Sequence, residues 1–152
     1  KNIMQIFIGG IGCFWDETEY WGVPGIISTE CGYCGGKNPT TTYKQVCEGD
    51  TEHIEVVKVE FNPKIISYED ITRFFFKIHD PTTLNRQGPN VGHQYRSEIF
   101  YTNEEQKISA QKVLDEVNKK LNGKVVTVIR KEKNYCKAED YHQKYFEKQS
   151  KR

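Results

Sequence analysis

The sequence has no long apolar run and almost no excess of charge of either sign. Its 152 residues include 22 basic and 21 acidic side chains, so the formal net charge is +1. A balance this close to zero provides no general attraction to nucleic acid or to an anionic membrane. No apolar stretch approaches the length of about 20 residues that crosses a bilayer, and the first residues do not resemble a signal peptide. We therefore expect neither nucleic acid nor a membrane as a partner.

Cysteine is too scarce, and odd in number, for a disulfide scaffold. The five cysteines are Cys13, Cys31, Cys34, Cys47 and Cys136. A domain of this size with many aromatic residues can build a core without cross-links, and an odd count leaves at least one thiol over. We expect a reducing compartment, the cytoplasm by default, and at least one thiol that is kept for chemistry.

Internal repeats, low-complexity tracts and linkers are also absent. The length suits one continuous core, so residues 1–152 are predicted to form a single domain. Strands and helices are predicted to alternate along the chain, which favours helices packed on one face of a small mixed sheet. The predicted fold class is α+β.

Capping patterns predict where two of the helices begin and end. One helix is predicted to begin after Ser67, and Pro81 closes it. Another is predicted to be capped by Thr102 and to end at Gly123. The apolar patterns predict strands over residues 3–8, 54–61, 96–101 and 125–129, and long loops over residues 31–42 and 81–94.

Cys13 stands in the stretch GGIGCFWDETEYW (residues 9–21), directly after the first predicted strand. Acidic residues follow at Asp16, Glu17 and Glu19, and the first turn of a helix favours negative charge. Cys13 is therefore predicted to lie at a strand-to-helix junction. A helix N-terminus stabilises a thiolate and lowers the pKa of the thiol, and the thiolate is the nucleophilic form.

A carboxylate stands on the apolar side of another predicted strand. In HIEVVKVEF, Glu55 points to the same side as three apolar residues, and the side that carries Lys58 and Glu60 is expected to face solvent. Burial raises the pKa of a carboxyl group and can keep it protonated near neutral pH. The alternative is that Glu55 lies partly exposed at the start of the strand and caps a neighbouring group.

Cys31 and Cys34 form a C-x-x-C pair, which supports a competing hypothesis of a thiol- or zinc-binding module. A thioredoxin-like pair opens a helix, whereas Gly35, Gly36 and Pro39 follow here and oppose one. A structural zinc ion needs four ligands, and the sequence has no second C-x-x-C or paired histidine motif. We expect no metal site.

Five blocks of sequence, spread over residues 6–146, resemble the peptide methionine sulfoxide reductase A family. They are GCFW, VPGIISTECGYCGG, YKQVCEGDTEHIEVVKVEFNP, HDPTTLNRQGPNVGHQYRSEIFY and KAEDYHQKYF. The resemblance implies a two-layer α/β sandwich around a ferredoxin-like, split βαβ core with a coiled C-terminal region. It also implies an oxidoreductase that returns methionine S-sulfoxide, free or in proteins, to methionine and so repairs proteins after oxidative stress.

The resemblance assigns a catalytic role to two residues. Cys13 matches the family's nucleophile, whose thiolate attacks the sulfoxide sulfur and ends as a sulfenic acid. Glu55 matches the family's acid, which protonates the sulfoxide oxygen. The predicted side of Glu55 on its strand suits this role.

The resemblance also implies five substrate-binding residues. Phe14 and Trp15 match the apolar wall that receives the S-methyl group. Tyr43 and Tyr95 match the phenols that bind the sulfoxide oxygen. Asn90 stands where the family usually has an aspartate that helps to bind the substrate backbone, and it keeps hydrogen-bonding capacity without the charge.

Regeneration of the enzyme is open between two schemes. Many members of the family carry resolving cysteines in a glycine-rich C-terminal tail, whereas this sequence has only Cys136 in that region. Cys136 could attack the sulfenic acid of Cys13. Alternatively an external thiol, from thioredoxin or from glutathione with glutaredoxin, reduces it directly, and the missing tail favours this scheme. The family also implies a monomer without a bound cofactor.

Overall fold

The computed structural model describes residues 5–10, 20–36, 53–83, 86–87, 90–91 and 96–138, of which the two short pairs are described as backbone only. Within these residues the chain forms a six-stranded sheet, a two-stranded ladder and two helices. In chain order the elements are β1 (Gln5–Gly10), β2 (Ile26–Cys34), β3 (Ile54–Phe61), α1 (Tyr68–Lys77), β4 (Arg86–Gln87), β5 (Asn90–Val91), β6 (Glu98–Tyr101), α2 (Glu104–Lys120), β7 (Val128–Lys131) and β8 (Cys136–Lys137).

The strands of the large sheet lie in the order β7-β6-β1-β3-β2-β8. All neighbouring strands are antiparallel except β6 and β7, which are parallel. Strands β3 and β6 are each antiparallel to β1, which lies between them, so β3, α1 and β6 form a split βαβ unit. The mixed sheet and its split unit confirm the predicted α+β class.

Both helices pack on the same face of the sheet. The ring of Phe7 on β1 meets the ring of Phe75 on α1 edge to face, with centroids 5.5 Å apart. On the outer side, Arg73 of α1 donates two hydrogen bonds of 3.1 Å to Glu116 of α2. The core between helices and sheet includes Phe7, Val57, Val59, Phe61, Ile71, Phe75, Ile99, Ala110 and Val113.

Helix α1 agrees with the prediction, and α2 begins one residue later than predicted. The hydroxyl of Ser67 accepts a hydrogen bond of 3.0 Å from the amide of Asp70, which caps α1. In α2 the cap is Asn103 rather than Thr102, and its side-chain oxygen accepts a hydrogen bond of 2.9 Å from the amide of Gln106. The hydroxyl of Thr102 instead donates to the side-chain oxygen of Gln106. Both residues can cap, and asparagine is the stronger N-cap.

Helix α2 ends at Lys120, and the predicted role of Gly123 in terminating it is confirmed. Asn122 and Gly123 both have positive φ angles, of 58° and 78°, and the amide of Gly123 donates a hydrogen bond of 2.8 Å to the carbonyl of Asn118. This arrangement is a Schellman motif, which satisfies carbonyls that the end of a helix leaves open.

The predicted loop over residues 31–42 is wrong in its first part. Cys31 to Cys34 are the last four residues of β2, which is hydrogen-bonded to β3 on one side and β8 on the other. Gly32 suits this central position because a Cβ there would collide with the ring of Tyr135. Residues 37–42 lie outside the described residues.

Other boundaries also differ from the predictions. Strand β1 continues to Gly10, past its predicted end at residue 8, and β6 begins at Glu98 rather than at residue 96. Within the predicted loop 81–94, the backbone of Arg86–Gln87 pairs with Asn90–Val91. The strand predicted over residues 125–129 runs from Val128 to Lys131 instead. Its shift has a local cause, because the amides of Val125 and Val126 are used outside the sheet, by Asn118 and Pro81 respectively.

The predicted helix after Cys13 and the implied coiled C-terminal region fall on residues 11–19 and 139–152, which lie outside the described residues. Among the helices that the structure describes, none has the length and apolar character needed to cross a membrane.

Candidate active site

Glu55 is buried in the sheet. It lies on β3 directly opposite Tyr33 of β2, and residues that face each other in a ladder share one face. Only 3% of Glu55 is exposed, and Tyr33 beside it is fully buried. This agrees with the side predicted from the strand pattern and excludes a partly exposed residue at the start of a strand. Burial disfavours the ionised form of a carboxyl group, so the environment suits an acid that releases its proton during a reaction.

The opposite face of β3 is not a solvent face along its whole length, contrary to the prediction. Ile54 and Val56 are buried against Phe100 of β6. Lys58 and Glu60, further along the strand, are partly exposed. Ile54 and Val56 are buried, unlike Lys58 and Glu60, because the chain between β7 and β8 covers the end of the sheet where Glu55 lies.

That covering segment, residues 132–135, is held by hydrogen bonds. The amide of Gly35 donates to the carbonyl of Lys133 at 2.7 Å. The ring of His53 is 1% exposed, and its Nε2 lies 3.2 Å from the carbonyl of Asn134. Because a carbonyl only accepts, Nε2 carries the hydrogen in this bond. The segment is therefore bound both to the end of β2 and to the start of β3.

The end of β1 passes close to Glu55. A Cβ at Gly10 would lie 3.3 Å from the carbonyl oxygen of Glu55 and would collide with the side chain of Ile54, so only glycine fits here. Strand β1 therefore leads the chain past Glu55 into the segment that carries Cys13. Gly10 and Cys13 are three residues apart in the sequence, so their Cα atoms can be at most about 11 Å apart.

A buried ion-pair network at the start of β6 was missed by the sequence analysis. The side chain of Glu98 is 1% exposed and accepts hydrogen bonds from Arg96, at 2.6 Å, and from Arg130 of β7. Arg130 also donates to the carbonyl of Gly35 at 3.4 Å and lies over the ring of Phe100. Two arginines compensate for the burial of one carboxylate and join three strands. An acidic residue within an apolar strand was the available signal, but spacing could not identify a partner 32 residues away.

Cys31 and Cys34 point to opposite faces of β2. Residues three apart in a strand have Cα atoms about 10 Å apart, which is beyond the reach of a disulfide. Cys31 packs with Tyr33 and Ala138, whereas Cys34 packs with a cluster that includes Phe100. Burial raises the pKa of the Cys34 thiol to about 12 and so keeps it protonated. The geometry does not favour a thiol- or zinc-binding module built on this pair.

Cys136 lies on β8 opposite Tyr33, so Glu55, Tyr33 and Cys136 form one row across three strands. Since neighbouring strands are about 4.8 Å apart, the Cα of Cys136 is about 10 Å from that of Glu55.

The hydroxyl of Tyr135 donates to Glu30 at 2.5 Å and fixes β8 against β2. Burial, followed by this bond to the Glu30 carboxylate, raises the pKa of Tyr135 well above its usual range.

The remaining predicted site residues are not placed by the structure. Asn90 is described only as backbone, where it pairs with Gln87. The others lie outside the described residues: Cys13, Phe14, Trp15, Tyr43 and Tyr95.

Comparison with known proteins gives a consistent result. The family model for peptide methionine sulfoxide reductase matches residues 4–152. The chain belongs to this family. The reductase is 58% identical, over 146 residues, to the peptide methionine sulfoxide reductase MsrA of Pelagibacter ubique, and the match covers 95% of this chain and 99% of the relative.

Solved structures show the same fold as the reductase. The reduced form of Mxr1 from Saccharomyces cerevisiae is 37% identical with a TM-score of 0.90, and the match covers 100% of this chain and 91% of Mxr1. Mxr1 in complex with Trx2 is 28% identical with a TM-score of 0.66, over 93% of this chain and 88% of that one. The family predicted from the sequence, and with it an oxidoreductase that reduces methionine sulfoxide, is confirmed.

Proposed function

We propose that the reductase converts the S epimer of methionine sulfoxide, free or in proteins, to methionine within a single domain of residues 1–152. Cys13 is the nucleophile and Glu55 the acid. One observation carries this proposal: Glu55 is 3% exposed on β3, and its backbone carbonyl lies beside Gly10, three residues before Cys13. A carboxylic acid that is shielded from water can hold the proton that the sulfoxide oxygen needs in order to leave.

The proposed reaction breaks the sulfur–oxygen bond of the substrate. The sulfur of Cys13 attacks the sulfoxide sulfur while Glu55 donates a proton to the oxygen, which is a poor leaving group without it. The net result is that the Cys13 thiol is oxidised to a sulfenic acid, the oxygen passes to Cys13, and the sulfoxide is reduced to a thioether. Methionine then leaves.

The binding residues are proposed from the family resemblance. Phe14 and Trp15 receive the S-methyl group, Tyr43 and Tyr95 hold the sulfoxide oxygen, and Asn90 binds the backbone of the substrate. The short β4–β5 ladder supports the role of Asn90, because it fixes the backbone at that position.

Regeneration is proposed to use an external thiol. A structure of the relative Mxr1 with Trx2 supports a thioredoxin, and glutathione with glutaredoxin is the alternative. Cys136 is the candidate for an internal disulfide with Cys13.

The proposed setting is the cytoplasm, with the reductase as a monomer. The odd number of cysteines in the sequence supports a reducing compartment.

A single turnover without reductant tests the proposed roles. Wild-type protein mixed with excess S-sulfoxide peptide should form about one methionine per chain, and Cys13→Ser should form none. Glu55→Gln should slow the turnover by about a hundredfold or more, since it removes a general acid. Glu60→Gln is the matched control, because Glu60 lies on the same strand, is partly exposed and contacts Ser28.

Intact mass after the turnover distinguishes the two regeneration schemes. Gain of one oxygen, with a dimedone adduct on Cys13, indicates the single-cysteine scheme. Loss of two hydrogens indicates an internal disulfide, and Cys136→Ser should then restore the gain of oxygen. No methionine from the wild-type protein, or equal rates for Glu55→Gln and Glu60→Gln, contradicts the proposed roles.

A further inference from the structure

His79 connects three elements through a chain of hydrogen bonds. Its Nδ1 lies 2.6 Å from the carbonyl oxygen of Phe75 in α1, and its Nε2 lies 2.7 Å from the hydroxyl of Ser97, just before β6. The Ser97 hydroxyl lies 2.7 Å from that of Thr127, just before β7. Ser97 is 2% exposed and Thr127 is 9% exposed, so the bonds are shielded from water.

The direction of each hydrogen bond that links Phe75, His79, Ser97 and Thr127 follows from one group that can only accept. The carbonyl of Phe75 can only accept, so Nδ1 of His79 carries a hydrogen and Nε2 of the neutral ring accepts. The hydroxyl of Ser97 therefore donates to His79 and accepts from the hydroxyl of Thr127. Removal of the ring from water lowers the pKa of His79 to about 4, which keeps this neutral form near pH 7.

The chain of hydrogen bonds joins the two ends of one segment. His79 stands immediately before residues 80–96, and Ser97 stands immediately after them. The backbone on either side of Thr127 contacts the same two ends. The amide of Val126 donates to the carbonyl of Pro81 at 2.8 Å, and the amide of Val128 donates to the carbonyl of Ser97 at 3.2 Å.

The first residues of the segment are also fixed. Asp80 accepts hydrogen bonds from the amide of Thr82, at 2.9 Å, and from its hydroxyl, at 2.5 Å. The ring of His79 is held against the ring of Phe75, with centroids 4.4 Å apart. The imidazole is therefore oriented by packing as well as by hydrogen bonds.

We propose that His79 is a positioning residue for substrate binding, and that His79, Ser97 and Thr127 form a clamp that holds both ends of the segment carrying Asn90 and Tyr95. The inference rests on the proposed function, which assigns those two residues to the substrate. Tyr95 is two residues from Ser97 in the sequence, so we expect release of Ser97 from the clamp to weaken substrate binding at that position.

A positioning role and a purely structural role predict different kinetics. Loss of position weakens the binding of the substrate, whereas the attack of Cys13 and the proton from Glu55 proceed once the substrate is bound. A purely structural role lowers stability without a specific change in binding. Comparison of the half-saturating concentration of sulfoxide with the limiting rate therefore separates the two.

The experiment compares two substitutions of His79 that keep different halves of the clamp. His79→Asn places an amide nitrogen near Nδ1 and keeps the bond to Phe75, but it does not reach Ser97. His79→Gln places an amide oxygen near Nε2 and can accept from Ser97. In single turnovers with an S-sulfoxide peptide, His79→Asn and Ser97→Ala should raise the half-saturating concentration about tenfold and change the limiting rate less than about twofold. His79→Gln should restore most of the binding.

Arg73→Met is the matched control for stability, since Arg73 joins α1 to α2 on the outer side of the helices. It should lower the unfolding midpoint in urea without changing the half-saturating concentration. Hydrogen exchange should show faster exchange over residues 80–96 in His79→Asn and Ser97→Ala only.

Each result has a definite meaning. Wild-type protein that forms no methionine overturns the proposed function and the clamp with it. Active wild-type protein with an unchanged half-saturating concentration in His79→Asn and Ser97→Ala overturns the clamp alone. Equal effects of His79→Gln and His79→Asn also overturn it, because the bond to Ser97 would then not matter.

Discussion

Burial has opposite chemical consequences for two residues on neighbouring strands. Glu55 on β3 and Cys34 on β2 are both almost completely removed from water. For a carboxyl group, burial favours the protonated form, which is the form that an acid needs. For a thiol, burial also favours the protonated form, which is the form that does not react. The same physical effect therefore supports a catalytic role for Glu55 and opposes one for Cys34.

We predict that Cys34 resists alkylation in the folded protein. Burial raises its pKa to about 12, so little thiolate forms at pH 8. Iodoacetamide treatment at pH 8, followed by peptide mapping, should leave Cys34 unmodified while it modifies the partly exposed Cys136. In 8 M urea both should react, as a general property of unfolded thiols. Equal labelling of both in the folded protein would contradict the prediction.

At the scale of elements, local signals predicted helices well and strand β2 poorly. Helix α1 has a serine cap and an apolar face of its own, so residues 67–81 contain enough information to define it. Cys31 to Cys34 belong to a strand because β3 and β8 provide hydrogen bonds on both sides. Neither partner is close in sequence, and the glycines in CGYCGG are typical of a turn. Partners distant in the chain thus decided the structure of this stretch.

The N-cap of α2 gives a direct test at this scale. Asn103→Ala should lower the free energy of unfolding by about 1 kcal/mol, because the amide of Gln106 loses its acceptor. Asn103→Asp should retain the stability, since a carboxylate also caps and is favoured at a helix N-terminus. Urea denaturation of the two variants measures the difference. A loss in Thr102→Ala that exceeds the loss in Asn103→Ala would restore the cap originally predicted at Thr102.

At the scale of the whole molecule, polar contacts between distant residues are what sequence patterns could not provide. Glu98 and Arg130 meet because β6 and β7 are parallel neighbours, and His79 meets Ser97 because α1 ends beside the start of β6. Glu98 stands out as an acidic residue in an apolar strand, but no local pattern identifies the partner of Glu98 or of His79. Glu55 was identifiable because its side of the strand is a local property, whereas its neighbour Tyr33 became known only from the register between β2 and β3.

Stability of the whole fold should fall as pH decreases from 6.5 towards 4. Removal from water lowers the pKa of His79 from 6.5 to about 4, and only the nearby Asp80 charge and the bond to Phe75 oppose the shift. The unfolded chain therefore binds a proton below pH 6.5 that the folded chain binds only below about pH 4. The contribution of the neutral His79 ring to the free energy of unfolding is complete above pH 6.5. It decreases as the pH falls, by up to about 3 kcal/mol.

Urea denaturation at pH 7 and at pH 4 measures this contribution, with His79→Gln as the reference because glutamine does not titrate. The difference in unfolding free energy between wild-type protein and His79→Gln should be larger at pH 7 than at pH 4. Carboxylates in both proteins respond to acid alike, so the comparison isolates the imidazole. A difference that is independent of pH would mean that the folded protein binds the proton as readily as the unfolded chain, and that the ring is not held neutral by its surroundings.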